Sequence, residues 1–300
     1  PRSHSTESDR GLAPEESKTV PWTVVRSAMA AAVATLALAA APQAEAQGRL
    51  DARYAVTLSG IPIGKGAWVI DIADNQYTAA ASGATVGLLR VFASGQGTSA
   101  SRGFMVAGTP VPASFAASIT TGKKTEEIRM TLGSGDVKEF AIAPEPPHDP
   151  ERVPVTEAHR RGVSDPMTAS LVRVPGNGNP LGPQACRRAV SVFDGRIRYN
   201  LRFAYKRMEQ VKAEKGYEGP AVVCSVYFEP VAGYIPSRTA IKYLADQREM
   251  EAWLAPVAGT RVLVPFRISI PSPVGLGVMQ ATQFVSLPQP RAAAARSRAQ

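Results

Sequence analysis

Alternation of apolar and polar side chains with a period of two runs through most of this chain, and it restricts the fold more than any other feature. Tyr199, Leu201, Phe203 and Tyr205 alternate with Asn200, Arg202, Ala204 and Lys206. Successive side chains of a strand point to opposite faces, so Arg196–Lys206 reads as a strand with one buried face. Asp194-Gly195, a strong tight-hairpin signal, precedes it, with Val190 and Val192 alternating on the incoming side. The pattern recurs in Tyr54, Val56 and Leu58, in Trp68, Ile70 and Ile72, and in Ile128, Met130 and Leu132. Val222, Cys224, Val226 and Phe228 repeat it. So do Val262, Val264, Phe266, Ile268 and Ile270, where Pro265 predicts an edge or bulged strand. Turns are expected at Gly60–Gly66, Asp74-Asn75 and Gly133–Asp136. The strands belong to a meander or barrel.

Helices are predicted in only two places. Ser164-Asp165-Pro166 reads as a cap followed by proline in the first turn, opening a helix over Met167–Val174. Thr239–Met250 is the second, with Ile241, Leu244 and Ala245 on one face. With 25 glycines and 25 prolines in 300 residues, a helical bundle is disfavoured. The proline-rich loop Pro144–Pro154 separates two halves of one sheet system.

The N-terminal region carries an address. Ala28–Ala41 is a small and apolar run broken only by Thr35, shorter than the ~20 residues of a membrane span. Arg26 precedes it, and Ala44-Glu45-Ala46 follows as a small-x-small cleavage site, so a secretory signal cleaved after Ala46 is expected. The expected organisation is residues 1–46 as signal with an extra leading segment, 47–287 as one β-rich domain, and 288–300 as a disordered basic tail. The whole chain has 34 Lys and Arg against 25 Asp and Glu, a net charge of +9. Outside the cytosol that excess points to an anionic or amphipathic envelope component, such as lipid or cell-wall polymer, and not to nucleic acid; plain solubility explains it equally well. Export also favours pairing the two cysteines, Cys186 and Cys224, as a structural disulfide.

No catalytic signature is present. Gly-x-Ser-x-Gly, His-Glu-x-x-His and Walker-type phosphate loops are absent. Gly64-Lys65-Gly66 and Gly95-Gln96-Gly97 are expected as turn glycines. His148 and His159, near Asp149 and Glu157, match no standard metal spacing and read as surface residues, so no metal and no cofactor are expected. Asp165 reads as a helix cap before it reads as an acid. Asp194, Arg196 and Arg198 form a candidate charged cluster for an anionic ligand, although the hairpin already requires Asp194. Trp68, Trp253 and the Tyr199–Tyr205 stripe are either core or the lining of a lipid cavity.

Several elements together resemble an exported proteobacterial family catalogued as "domain of unknown function 3108". They are Tyr54–Trp68 with Gly60-Ile-Pro-Ile-Gly64, the Asp165-Pro166 helix start, the hairpin from Val192 to Tyr199, and Tyr217-Glu-Gly219 leading to Cys224. The likeness covers about residues 50–286. It implies no activity. In layout the chain is also similar to periplasmic β-spiral proteins of cell-envelope integrity. That similarity implies a mainly β fold, an antiparallel open barrel or β-spiral with one or two short helices, and a role in envelope maintenance.

The expected function is that of an exported, periplasmic, non-catalytic protein. It binds a hydrophobic or amphipathic envelope component or an envelope protein partner, with no transmembrane span after cleavage. The alternatives are a hydrolase of cell-wall or lipid substrates using scattered Asp and Glu residues, and a structural scaffold for protein interaction.

Overall fold

The computed structural model describes residues 47–87 and 95–289; Ala44, Ala46 and most of the basic tail lie outside the described residues. Seven antiparallel strands come first: β1 (Gly48–Leu58), β2 (Ile61–Ile72), β3 (Gln76–Thr85), β4 (Gly95–Val106), β5 (Thr109–Thr121), β6 (Lys124–Gly133) and β7 (Asp136–Ala143). A loop region then carries α1 (Pro166–Ala169) and β8 (Val172–Arg173). Next come β9 (Ala189–Phe193), the long hairpin strands β10 (Arg198–Lys212) and β12 (Glu218–Ala232), and between them the short β11 (Lys215–Gly216). Helix α2 (Thr239–Asp246) precedes β13 (Glu251–Pro256), β14 (Val262–Ser272) and β15 (Gly275–Pro288).

All strands join one sheet in the order β7-β6-β5-β4-β3-β2-β1-β15-β14-β13-β12-β10-β9, with β11 on β15 and β8 on β14. The first and last strands of the chain therefore pair along their whole length, Gly48 opposite Pro288. Gln289 N–H donates to the Gln47 carbonyl at 3.1 Å, extending the contact of these two strands by one residue. The sheet is not closed. Its edges β7 and β9 meet through Phe140 and Phe193, whose rings pack edge to face at 5.8 Å, and through the segment before α1. Val163 N–H donates to the Gly135 carbonyl, Ser164 N–H to Ser191, and Phe193 N–H back to Ser164.

Where the sequence and structure part, packing is the reason. The turn expected over Gly60–Gly66 is only Ser59-Gly60, both at positive φ, a two-residue hairpin turn. Gly64 and Gly66 lie inside β2 and Gly95 and Gly97 in β4, so they are strand glycines and not turn glycines. A Cβ on Gly66 would stand 3.1 Å from the Ser82 carbonyl oxygen on the next strand, so close strand approach accounts for that one. The helix expected over Met167–Val174 stops at Ala169, because Val172 and Arg173 are drawn into pairing with Leu263 and Val262. The second helix ends at Asp246 and not at Met250, whose buried backbone carbonyl accepts from Val226 N–H. Alternation hides two doubly buried stretches, Ala221–Cys224 and Val262–Phe266, which are covered on both faces. Pro265 sits in a central strand, opposite a register shift at Trp253/Leu254, so the bulge holds and the edge does not. Its free carbonyl accepts from the buried Tyr54 hydroxyl at 2.8 Å.

Cys186 and Cys224 lie at disulfide distance, with Cα atoms 5.5 Å apart and a sequence separation of 38. They are fully buried in a cluster with Val172, Val174, Val222, Leu254 and Leu263. Closing a loop of that length stabilises the fold by about 4 kcal/mol in the chain-entropy model. Replacing both by serine is expected to lower the melting temperature by roughly 10 °C under oxidising conditions, measured by circular dichroism; an unchanged melting temperature overturns this account.

Candidate functional site

Two concavities flank α1. The smaller is a cavity of about 310 Å³ between the β10–β12 hairpin and the sheet face of β13 and β14. Strand alternation builds it: Tyr199, Leu201 and Phe203 project from β10, Val226 and Phe228 from β12, and Ile268 and Ile270 from β14. Leu244 of α2 and Met250 close one side, and Pro166 and Ala169 of α1 another. Its polar wall groups are mostly engaged. Ser170 Oγ donates to the Pro166 carbonyl at 2.9 Å, and Glu251 pairs with Lys206 at 2.5 Å and with Arg207 at 3.1 Å. The Tyr199 hydroxyl makes no hydrogen bond to any described residue; burial, then the charges of Asp194 and Asp165, push its pKa well above the ordinary tyrosine value.

The larger concavity, about 1110 Å³, is an open trough on β3–β6 floored by small residues, with Glu126, Asp194 and Arg196 at one end. Pro166 borders both. Helix α1 is therefore the partition, and what holds α1 sets both shapes.

That anchor is Asp165. It has no exposed surface. One carboxylate oxygen accepts from the Met167 and Thr168 amides at 2.9 and 3.0 Å, the cap expected from sequence. The other accepts from Ser101 Oγ at 3.0 Å and from the Thr168 hydroxyl in a short contact. The Tyr77 hydroxyl joins the group through Thr168 Oγ1 at 2.5 Å, and burial pushes the Tyr77 pKa up to about 12. Burial also raises the Asp165 pKa, with the four donors opposing it. Every acceptor site is occupied, so Asp165 positions α1 and is not available to a substrate.

The other residues singled out in sequence fall in separate places. Asp194 Oδ1 accepts from the Arg196 and Ile197 amides, which form its turn. Arg196 pairs with Glu126, while Arg198 donates to the Tyr199 carbonyl and to Asn200 at 2.7 and 2.8 Å. The acid and its two arginines are thus each turned to other partners. Trp68 lies in the core and Trp253 between Arg207 and Arg267, 5.4 and 4.6 Å from its ring; neither lines the cavity. Tyr205, 41% exposed beside a register shift at Tyr205/Arg207, also leaves the stripe. His159 Nδ1 accepts from Thr156 N–H at 3.1 Å, and among the described residues no group of three His, Cys, Asp or Glu side chains gathers as a metal site. Ser101, Thr168 and Tyr77 were missed by sequence reasoning. They come from β3, β4 and α1, and no local signal links them.

The folded chain holds the Asp165 proton more tightly than the unfolded chain, because its pKa lies above the ordinary 3.8. This coupling therefore favours the fold in acid and is lost as pH rises through the folded-state value. Asp194, raised by burial, has the same sign. Urea midpoints of the wild type and Asp165→Asn, followed from pH 3.5 to 7, are expected to show the wild-type advantage shrinking as pH rises; a constant or growing advantage refutes it. Asp165→Ala, which leaves the buried Met167 and Thr168 amides without their cap and removes an acceptor from Ser101 and Thr168, is expected to cost about 3 kcal/mol.

A family model described as "Protein of unknown function (DUF3108)" matches residues 53–282. Among curated proteins none matches. A crystal structure of a β-barrel-like protein of domain of unknown function DUF1849 from Brucella abortus superposes with a TM-score of 0.40 at 9% identity, covering 81% of this chain and 98% of its own.

Proposed function

Because the chain belongs to the DUF3108 family, whose description assigns no activity, we propose a function from the site itself. The protein is a non-catalytic carrier or sensor of a hydrophobic or amphipathic molecule of the cell envelope, acting outside the cytosol. One observation carries this reading: the cavity under the β10–β12 hairpin is walled by aliphatic and aromatic side chains from strands and both helices, and keeps one unengaged hydroxyl, Tyr199. Small-molecule sites run from about 300 to 1,000 Å³ and combine apolar walls with few polar groups. At about 310 Å³ this cavity suits one acyl chain or a compact apolar molecule, and not both chains of a phospholipid. The buried cysteine pair and the signal-like N-terminal segment support an oxidising compartment, the periplasm.

The hydrolase alternative is less favoured. Asp165 is sealed by four donors, Asp194 serves its turn, and Glu251, the carboxylate in the cavity wall, is held by two cations.

Titration with a dansyl-labelled fatty acid tests the reading. Wild-type protein is expected to bind it with saturable fluorescence enhancement, and Leu201→Trp, which fills the cavity, to bind at least tenfold more weakly, about 1.4 kcal/mol. A far-ultraviolet spectrum like that of the wild type checks that the variant folds. Absence of binding by the wild type, or equal affinity in the folded variant, overturns it.

A further inference from the structure

We infer that one end of the sheet is a docking surface for anionic lipid bilayers. Three hairpin ends, β1–β2, β14–β15 and β5–β6, lie there together with the paired ends of β3 and β4. Ser59 N–H, in the β1–β2 turn, donates to the Leu276 carbonyl at the start of β15, at 2.9 Å. Val86 N–H, at the end of β3, donates to the Ile63 carbonyl at 3.0 Å. Gly95 at the start of β4 pairs with Thr121 at the end of β5, and Thr121 with Lys124. From Ile61 on β2 to Lys124 on β6 is four strand spacings, about 19 Å along the sheet.

Hairpin ends facing water are ordinarily polar. These are not. Val274 is 74% exposed and Ile61 64%, and Leu276 and Ile270 are 42% and 38% exposed on the strands that lead into the same end. Ile61, Leu58, Gly277 and Ile270 stand in one cross-strand row, so the two apolar ends adjoin and are not scattered. Exposed apolar groups gathered this way mark an interaction surface.

Charge identifies the partner. Lys65, four residues from Ile61, and Lys123 and Lys124 on the β5–β6 end are exposed, and none has an acidic partner among the described residues. The nearby acids in sequence, Glu126 and Glu127, are already paired with Arg196 and Arg129. Aliphatic side chains flanked by unpaired lysines, on a chain of net charge +9, match a surface that offers hydrocarbon below anionic headgroups. Ile270 belongs both to this end and to the cavity wall, so docking brings the cavity toward the bilayer. The docking itself stands on the hairpin ends and needs no occupied cavity.

Co-flotation with vesicles of phosphatidylglycerol and phosphatidylethanolamine tests this, with phosphatidylcholine vesicles as the neutral comparison. Wild-type protein is expected to float with the anionic vesicles, at least tenfold less with neutral ones, and to be released as salt rises from 0.05 to 0.5 M. Ile61→Asp with Val274→Asp, and separately Lys123→Glu with Lys124→Glu, are expected to lose at least tenfold in vesicle binding. Both are expected to keep wild-type melting temperatures and dansyl fatty-acid binding in solution. Absence of wild-type flotation, equal flotation with neutral vesicles, or undiminished binding by folded variants overturns the inference. A dimer that the Ile61/Val274 variant dissociates without vesicles overturns it in favour of self-association. Failure of the fatty-acid titration with vesicle binding intact counts against the cavity reading alone.

Discussion

A carboxylate with no exposed surface, Asp165, joins parts of the fold that no strand ladder connects. The sheet stops at β7 on one side and β9 on the other, and unpaired edges expose amide and carbonyl groups that must find partners. The segment Gly162–Asp165 supplies them. Its Val163 and Gly162 amides donate to the Gly135 carbonyl and the Asp136 carboxylate at the β6–β7 turn, and it exchanges bonds with β9 at Ser191 and Phe193. Asp165 then turns the chain into α1 and fastens it to Ser101 on β4. A neutral residue there could cap the helix or meet the hydroxyls; the four-donor arrangement uses both oxygens of a carboxyl group. Its burial costs solvation of the charge, and those hydrogen bonds are what offset it.

How much of this was legible depended on whether the cause was local. Turn chemistry is local, and Asp194-Gly195 marked its hairpin correctly, as Ser164-Asp165-Pro166 marked the start of α1. Period-two alternation is also local, so Tyr199, Leu201 and Phe203 were assigned to one face before their surroundings were known. What covers that face is not local. Trp68 and Trp253, equally aromatic, fell to the core and to an arginine sandwich because the strands opposite them differ. Val172 carried a helical expectation that pairing with β14 overrode, since β-branched side chains gain more from a pleated, buried surface. The partners of Asp165 were hidden for the same reason. Ser101 lies 64 residues away in sequence and reads as one more small strand residue.

The cysteine pair and the cavity share walls. Val172, Phe203, Val226, Ala252 and Leu254 border both the sulfur cluster and the cavity. A cavity removes packing contacts from its lining, which then depends on rigidity from elsewhere. The covalent link from the Pro183–Cys186 turn to the middle of β12 provides that rigidity directly behind the apolar wall. The tip of the same hairpin is held independently, where Tyr217 N–H donates to the Phe284 carbonyl and its ring packs with Phe266 and Phe284 at 6.2 and 5.7 Å. The hairpin is fixed at its middle and at its tip.

Its remaining end, near Tyr199 and Phe228, is tied by pairing with β9 and, through Gly233, to Val153. Helix α2 lies over β12 there with no fully buried residue, contributing Leu244 to the cavity wall while Lys242 and Asp246 face solvent. A short helix in water gains little from its own hydrogen bonds, so its position rests on that half-buried apolar face. Of the cavity's walls, α2 is therefore the least fastened and the part that yields at lowest cost.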